Sequence, residues 1–150
     1  MGWPCIPVWH YSRGKEEFSK MCESHKYVAI GGIAGDKKLL HKLIPYLRHF
    51  IDEAHNKGAR IHGLGFTRTT LLSSLPFDSV DSTAWLSFVK YGNYAKFNGS
   101  YMMPIPKPKD NKAKDFIKEA EAMGVSSQQY KSFISGNEWI KFQKYAKEWL

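Results

Sequence analysis

Two stretches decide how this chain folds: Tyr27-Val28-Ala29-Ile30-Gly31-Gly32 and, one amphipathic helix later, Ala59-Arg60-Ile61-His62-Gly63-Leu64-Gly65. Each is a short β-rich run that stops at glycines. Residues 27–30 are almost continuously apolar, the pattern of a strand buried on both faces. Between the two runs, residues 39–56 place Leu40, Leu43, Ile44, Leu47, Phe50, Ile51 and Ala54 at helical spacing. Pro45 inside that span predicts a kink or a late start, and Lys57-Gly58 closes the helix as a C-cap. Strand, helix, strand with short connections is a parallel βαβ unit.

The alternation extends in both directions. Upstream, Ile6-Pro7-Val8-Trp9-His10 reads as a strand, Tyr11-Ser12-Arg13-Gly14 as a turn, and residues 15–24 as a helix with Phe18, Met21 and Cys22 on one face. Downstream come a short helix over 67–73, a strand at Phe77-Asp78-Ser79-Val80-Asp81, and a helix to about residue 89 capped by Ser82 or Thr83. The period then changes. Tyr94-Ala95-Lys96-Phe97 and Ser100-Tyr101-Met102-Met103 flank Asn98-Gly99, a hairpin signal. Residues 104–109, rich in Pro and Lys, predict an extended linker. A helix over 110–123 starts at Asp110 and ends at Gly124. A last helix over 137–150 carries Trp139, Ile140, Phe142, Tyr145, Ala146 and Trp149 with interleaved lysines; such aromatics can stack on bases, and at helical spacing a docking face is the favoured reading.

The expected fold class is therefore α/β: a partial (β/α) barrel of about four parallel β/α units, followed by a hairpin and C-terminal helices. The expected organisation is a half-barrel with hairpin over residues 1–103, the linker over 104–109, and a helical segment over 110–150 packing on the same domain. The chain has 150 residues, whereas a complete eightfold barrel typically needs about 250.

Composition narrows the function classes. Hydrophobic residues make up 43% and aromatics 15%, enough for a packed core rather than a disordered chain. Lys and Arg number 22 against 14 Asp and Glu, and the net charge of +8 suits a polyanionic partner such as nucleic acid, tRNA or DNA. The two cysteines, Cys5 and Cys22, form neither a disulfide framework nor a CxxC zinc motif. They point to a reducing compartment, the cytoplasm. No segment has the length and apolarity of a membrane span, so no membrane partner is expected. No cofactor motif of the GxGxxG or P-loop type occurs, and no metal or cofactor is expected.

In parallel β/α folds, ligands meet the C-terminal ends of the strands. That rule selects His10, Tyr11 and Ser12 after the first strand, Gly31, Gly32 and Ile33 after the second, and His62, Gly63 and Gly65 after the third. Asp78, Ser79 and Asp81 belong to the fourth. Asp78 and Asp81 are the candidate catalytic residues, since a carboxylate at such an edge serves as nucleophile, base or metal ligand. Strand parity lets at most one of them point into a site unless the strand ends between them. The plain structural alternatives are a helix cap for Asp81 and an ion pair for Asp78. Gly31-Gly32 either lets backbone amides approach a flat ligand or makes a tight turn. His10 and His62 with Asp78 or Asp81 make a second candidate, a metal-dependent barrel hydrolase. His25, His41, His49 and His55 read as surface residues of helices.

These residues resemble the C-terminal half of a tRNA-guanine transglycosylase barrel, of the queuine and archaeosine transglycosylase superfamily. Ala29-Ile30-Gly31-Gly32-Ile33-Ala34 is similar to the family's base-recognition loop. Gly63-Leu64-Gly65-Phe66-Thr67 is similar to its Gly-Val-Gly-Thr loop, and Phe77-Asp78-Ser79 to the Phe-Asp-Cys context of its nucleophile. Pro7-Val8-Trp9-His10, Arg13 to Phe18, His62 to Gly65 and Ser79-Val80-Asp81-Ser82-Thr83 also resemble phage-encoded relatives of the family. The resemblance implies exchange of guanine for a 7-deazaguanine in nucleic acid through a covalent glycosyl–aspartate intermediate. It implies attack by Asp78, backbone contacts to the base from Gly31, Gly32 and Ile33, and His10, Tyr11, His62 and Gly63 around the base pocket. The chain matches only the last four of the family's eight strands. It lacks the Asp-Ser-Gly loop that supplies the acid/base, the zinc-binding cysteines, and the arginines that follow the nucleophile, where Thr83-Ala84-Trp85-Leu86 stand instead. A second polypeptide or a homodimer completing the barrel is therefore expected. A non-catalytic half-barrel that binds nucleic acid or protein is the alternative.

Overall fold

A computed structural model describes residues 5–33, 36–66, 68–81, 84–106 and 111–149. The chain divides into two compact units, Met1–Ser82 and Thr83–Trp149.

The first unit contains β1 (Val8–His10), α1 (Gly14–Ser24), β2 (Tyr27–Gly31), α2 (Lys37–Asn56), β3 (Arg60–Gly63), α3 (Thr69–Leu72) and β4 (Ser79–Val80). The strands form one sheet in the order β1-β2-β3-β4. All three pairings are parallel, with Val8 opposite Ala29, Val28 opposite Ile61, and His62 opposite Ser79. Right-handed crossovers between strands laid down in chain order put successive helices on the same face. The aromatic packing follows that rule. Trp9, 1% exposed, meets Phe18 of α1 at 5.2 Å and Phe50 of α2 at 4.9 Å, and those two rings lie 5.1 Å apart. Such ring pairs add about 0.5–1.5 kcal/mol each beyond area burial. The Trp9 indole N–H donates to the Gly14 carbonyl at 2.9 Å, which ties β1 to the start of α1.

Alternation along the strands then dictates the other face. Val8, His10, Tyr27, Ala29, Gly31, Arg60, His62 and Ser79 point away from the helices. Here Tyr27, His62 and Ser79 are half-buried, and His10 and Arg60 are exposed. The sheet thus has an apolar, helix-covered face and a polar, partly open one.

Several boundaries differ from expectation. α2 starts at Lys37, because the Asp36 carboxylate accepts from the Lys38 and Leu39 amides at 2.9 and 3.0 Å. Pro45 lies within an uninterrupted helix rather than delaying its start. β3 ends at Gly63 and β4 spans two residues, both shorter than their apolar runs. The four strands form a single row rather than a closed barrel among the described residues. The proposed caps Ser82, Thr83 and Asp110, the linker residues 107–109, Ala34, Thr67 and Leu150 lie outside the described residues.

The second unit contains α4 (Ala84–Lys90), β5 (Tyr94–Phe97), β6 (Met102–Ile105), α5 (Asn111–Ala122) and α6 (Ser127–Ala146). β5 and β6 pair antiparallel, with Phe97 opposite Met102. Asn98 Oδ1 closes their turn by accepting from the Ser100 and Tyr101 amides at 3.0 and 2.8 Å. The hairpin, expected to belong with the sheet, packs on α6. The Ala95 amide donates to the buried Ser135 hydroxyl at 3.1 Å, and the Phe97 amide to Glu138 Oε2 at 2.8 Å. The Phe97 ring contacts Phe142 and Tyr145. The last helix also begins ten residues before its expected start. Ser126 and Gln129 form a reciprocal capping box there, a motif the aromatic pattern further along overshadowed.

Candidate functional site

The two aspartates flank β4 and go to opposite ends of it. Asp78 precedes the strand. Its carboxylate accepts from the Ile61 amide at 2.7 Å and lies 2.9 Å from His55 Nε2 at the end of α2. The Asp78 amide in turn donates to the Ile61 carbonyl at 3.0 Å. This is the N-terminal end of the sheet, on its helix-covered side. Asp78 thus does not stand at the ligand-facing strand ends where it was expected, and the ion-pair alternative describes its surroundings. Its carboxylate satisfies an amide of β3 at the point where β4 begins. His55, expected to be a plain surface residue, is its partner.

Asp81 follows β4 at the C-terminal end. Its amide donates to the Gly63 carbonyl at 3.4 Å, continuing the ladder past the strand. Its side chain, 60% exposed, accepts from the Gly65 amide at 2.7 Å and lies 3.5 Å from His62 Nε2. Parity places Asp81 on the open face with Ser79 and His62. The Gly63-Leu64-Gly65 turn is what offers the free amide, and Gly65 has φ +67°, a conformation glycine adopts without strain.

Behind Asp81 runs a line of polar side chains across three strands. His62 Nδ1 is hydrogen bonded to Ser79 Oγ, and Ser79 Oγ is also hydrogen bonded to the Tyr27 hydroxyl. The Tyr27 ring stands edge-on to the His62 ring, with centroids 6.4 Å apart. Both imidazole nitrogens are thus engaged, one by a hydroxyl and one by a carboxylate.

The Gly31-Gly32 pair seats His10. A Cβ on Gly32 would come within 2.6 Å of His10 Nδ1, and Gly32 has φ +74°. A Cβ on Gly31 would meet Val8 Cγ1 at 2.7 Å and His10 Cε1 at 3.4 Å. The imidazole therefore lies against the glycine backbone, and a flat ligand at this edge would meet His10 there. Tyr11, 40% exposed, sits under the Lys42 ammonium at 5.4 Å from its ring centre. Gly63 and Ile33 serve packing. Ile33 is buried, and a Cβ on Gly63 would strike Phe66 Cβ at 3.0 Å and Val80 Cγ1 at 3.2 Å on the helix-covered side.

His10, His62 and Asp78 are not brought together, and no cluster of three His, Cys, Asp or Glu suited to a metal occurs among the described residues. The geometry does not assemble the donor set of the metal-hydrolase alternative. No helix among the described residues is long and apolar enough to cross a membrane. Tyr27 was not singled out from the sequence; period-two alternation could have found it, since it sets Tyr27 on the face of His62 and Ser79.

Comparison with protein-family models, curated proteins and solved structures finds no match to this chain.

Proposed function

We propose that the strand-end edge of the first unit performs glycosyl transfer on nucleic acid, exchanging guanine for a 7-deazaguanine, with Asp81 as the nucleophile. Asp81 takes the role first given to Asp78. The observation that supports it is the placement of an exposed carboxylate at the C-terminal end of β4, oriented by the Gly65 amide and His62. Asp78 is instead engaged at the opposite end.

The chemistry balances as a double displacement. An Asp81 oxygen attacks the ribose C1′ and the C1′–N9 bond breaks. The base leaves with the electron pair and takes a proton from an acid on its own side of the sugar. The incoming base then attacks C1′ through its ring nitrogen, giving up a proton there. The C1′–oxygen bond breaks, and the Asp81 carboxylate is restored. His10 on its glycine seat, with Tyr11 beside it, offers the flat edge against which a base lies. The acid must stand opposite Asp81 across the sugar, and a second polypeptide or a second copy of this chain supplies it, adding strands that complete a (β/α) barrel. The reaction belongs to the cytoplasm, and a base within a duplex has to be flipped out to reach Asp81.

A non-catalytic nucleic-acid-binding module is the second reading. The net charge of +8, with exposed Lys38, Lys42 and Arg68 following β2 and β3 at the same edge, favours it.

The test is incorporation of labelled guanine into tRNA and DNA by the chain isolated with its native partners, with intact-mass detection of a glycosyl adduct. Exchange that is lost in Asp81→Asn and kept in Asp78→Asn supports the proposal. Exchange that survives Asp81→Asn removes Asp81 from the role. Binding without exchange in every preparation leaves the binding module.

A further inference from the structure

We propose that Tyr27, Ser79 and His62 act as one line of positioning residues that holds His62 Nε2 toward Asp81 and fixes the tautomer the ring presents to that carboxylate. The consequence for exchange rests on the role proposed for Asp81. The line itself is testable with no exchange activity at all.

Ser79 Oγ stands between the Tyr27 hydroxyl and His62 Nδ1. A serine hydroxyl has one proton to give and two lone pairs to accept with. When His62 is neutral, Ser79 donates to Nδ1 and accepts from Tyr27, which leaves the ring proton on Nε2, facing Asp81. When His62 is protonated, Nδ1–H donates to Ser79 and the Ser79 proton turns to the Tyr27 oxygen. In both states Nε2, 3.5 Å from Asp81 Oδ1, carries a proton. A ring flip would set a carbon against Ser79, so the hydroxyl pair disfavours it. Among the described residues of the first unit, these groups face the ring. Tyr27 faces His62 from β2, Ser79 and Asp81 from β4 and its end, and the exposed Arg60 lies two residues earlier on the same face of β3. Asp78 and His55 pair on the other face.

Attack at C1′ builds positive charge on the sugar, as in other glycosyl transfers. A neutral His62 leaves the full negative charge of Asp81 to meet it. An imidazolium neutralises the carboxylate and repels the sugar.

The deciding experiment is nitrogen-resolved NMR of the neutral His62 ring in the full chain. The parent ring carries its proton on Nε2, because Ser79 donates to Nδ1. Ser79→Ala raises the Nδ1-protonated fraction several-fold, and Ser79→Thr restores the Nε2 form. Ser79→Cys, a weaker donor, moves the ring in the same direction should Ser79→Ala not fold. A parent ring protonated on Nδ1, or a tautomer unchanged in Ser79→Ala, overturns the proposal. The Nε2 form held by Ser79 without exchange in any assay removes the transglycosylase reading and keeps the line. Exchange with a tautomer indifferent to Ser79 does the reverse.

Discussion

Replacing each of the two aspartates beside β4 separates a fold-holding carboxylate from a chemical one. Asp78→Ala removes the acceptor of the Ile61 amide, at 2.7 Å, and the partner of His55, at 2.9 Å. Ile61 is fully buried, so its amide has little water to turn to. A buried donor left unsatisfied costs about 1–3 kcal/mol. The His55 contact, with side chains 38% and 29% exposed, adds at most about 1 kcal/mol. The expected loss is about 1–4 kcal/mol, read as a lower urea midpoint of the first unit with unchanged slope. Asp81→Asn keeps an acceptor for Gly65 on a side chain that is 60% exposed. Its expected effect on stability is within about 0.5 kcal/mol, while exchange or its covalent adduct disappears. The reverse pattern, a stable Asp78→Ala and an Asp81→Asn weakened by 2 kcal/mol or more, would refute this division of roles.

Three further outcomes follow from local geometry. Gly32→Ala sets a Cβ 2.6 Å from His10 Nδ1 at a φ of +74°, and costs about 1–3 kcal/mol by thermal or urea unfolding, relieved in part by His10→Ala. Ser135→Ala leaves the amide of fully buried Ala95 without its acceptor, and costs about 1–3 kcal/mol, seen as faster amide exchange in the hairpin. Burial, with Glu53 nearby, pushes the Cys22 thiol up to about 11 from its usual 9.0. The folded state then holds its proton longer than the unfolded one, so this group's contribution to stability is full below about pH 9 and lost as pH rises toward 11. Cys22→Ala flattens that part of the curve, and at pH 8 a thiol reagent modifies exposed Cys5 and spares Cys22.

The sheet unit was legible because glycine-ended apolar runs alternate with amphipathic helices, a pattern that local sequence fixes well. Strand lengths were less so. β4 is two residues because Asp78 spends its carboxylate on the Ile61 amide, a tertiary bond that the run Phe77 to Asp81 does not announce. The partner of the hairpin was hidden for a similar reason. The Asn98-Gly99 turn reveals a hairpin but not its neighbour, and the neighbour depends on Ser135, forty residues away in the chain from Ala95. At the edge, β4 spans only Ser79–Val80, so both aspartates lie outside it and strand parity does not choose between them. Choosing between Asp78 and Asp81 needed the knowledge of where β4 begins. His55 was unreadable, since nothing near it in sequence points to Asp78.

Along β3, Ile61 and Gly63 serve the packed side, while Arg60 and His62 serve the partly open one. Substitutions among Arg60, His62, Ser79 and Tyr27 therefore leave the aromatic cluster around Trp9 untouched. Such a strand lets a lineage change what the surface does while the interior stays as it was. An inserted residue gives no such freedom, because a shift by one exchanges the two roles along the whole strand.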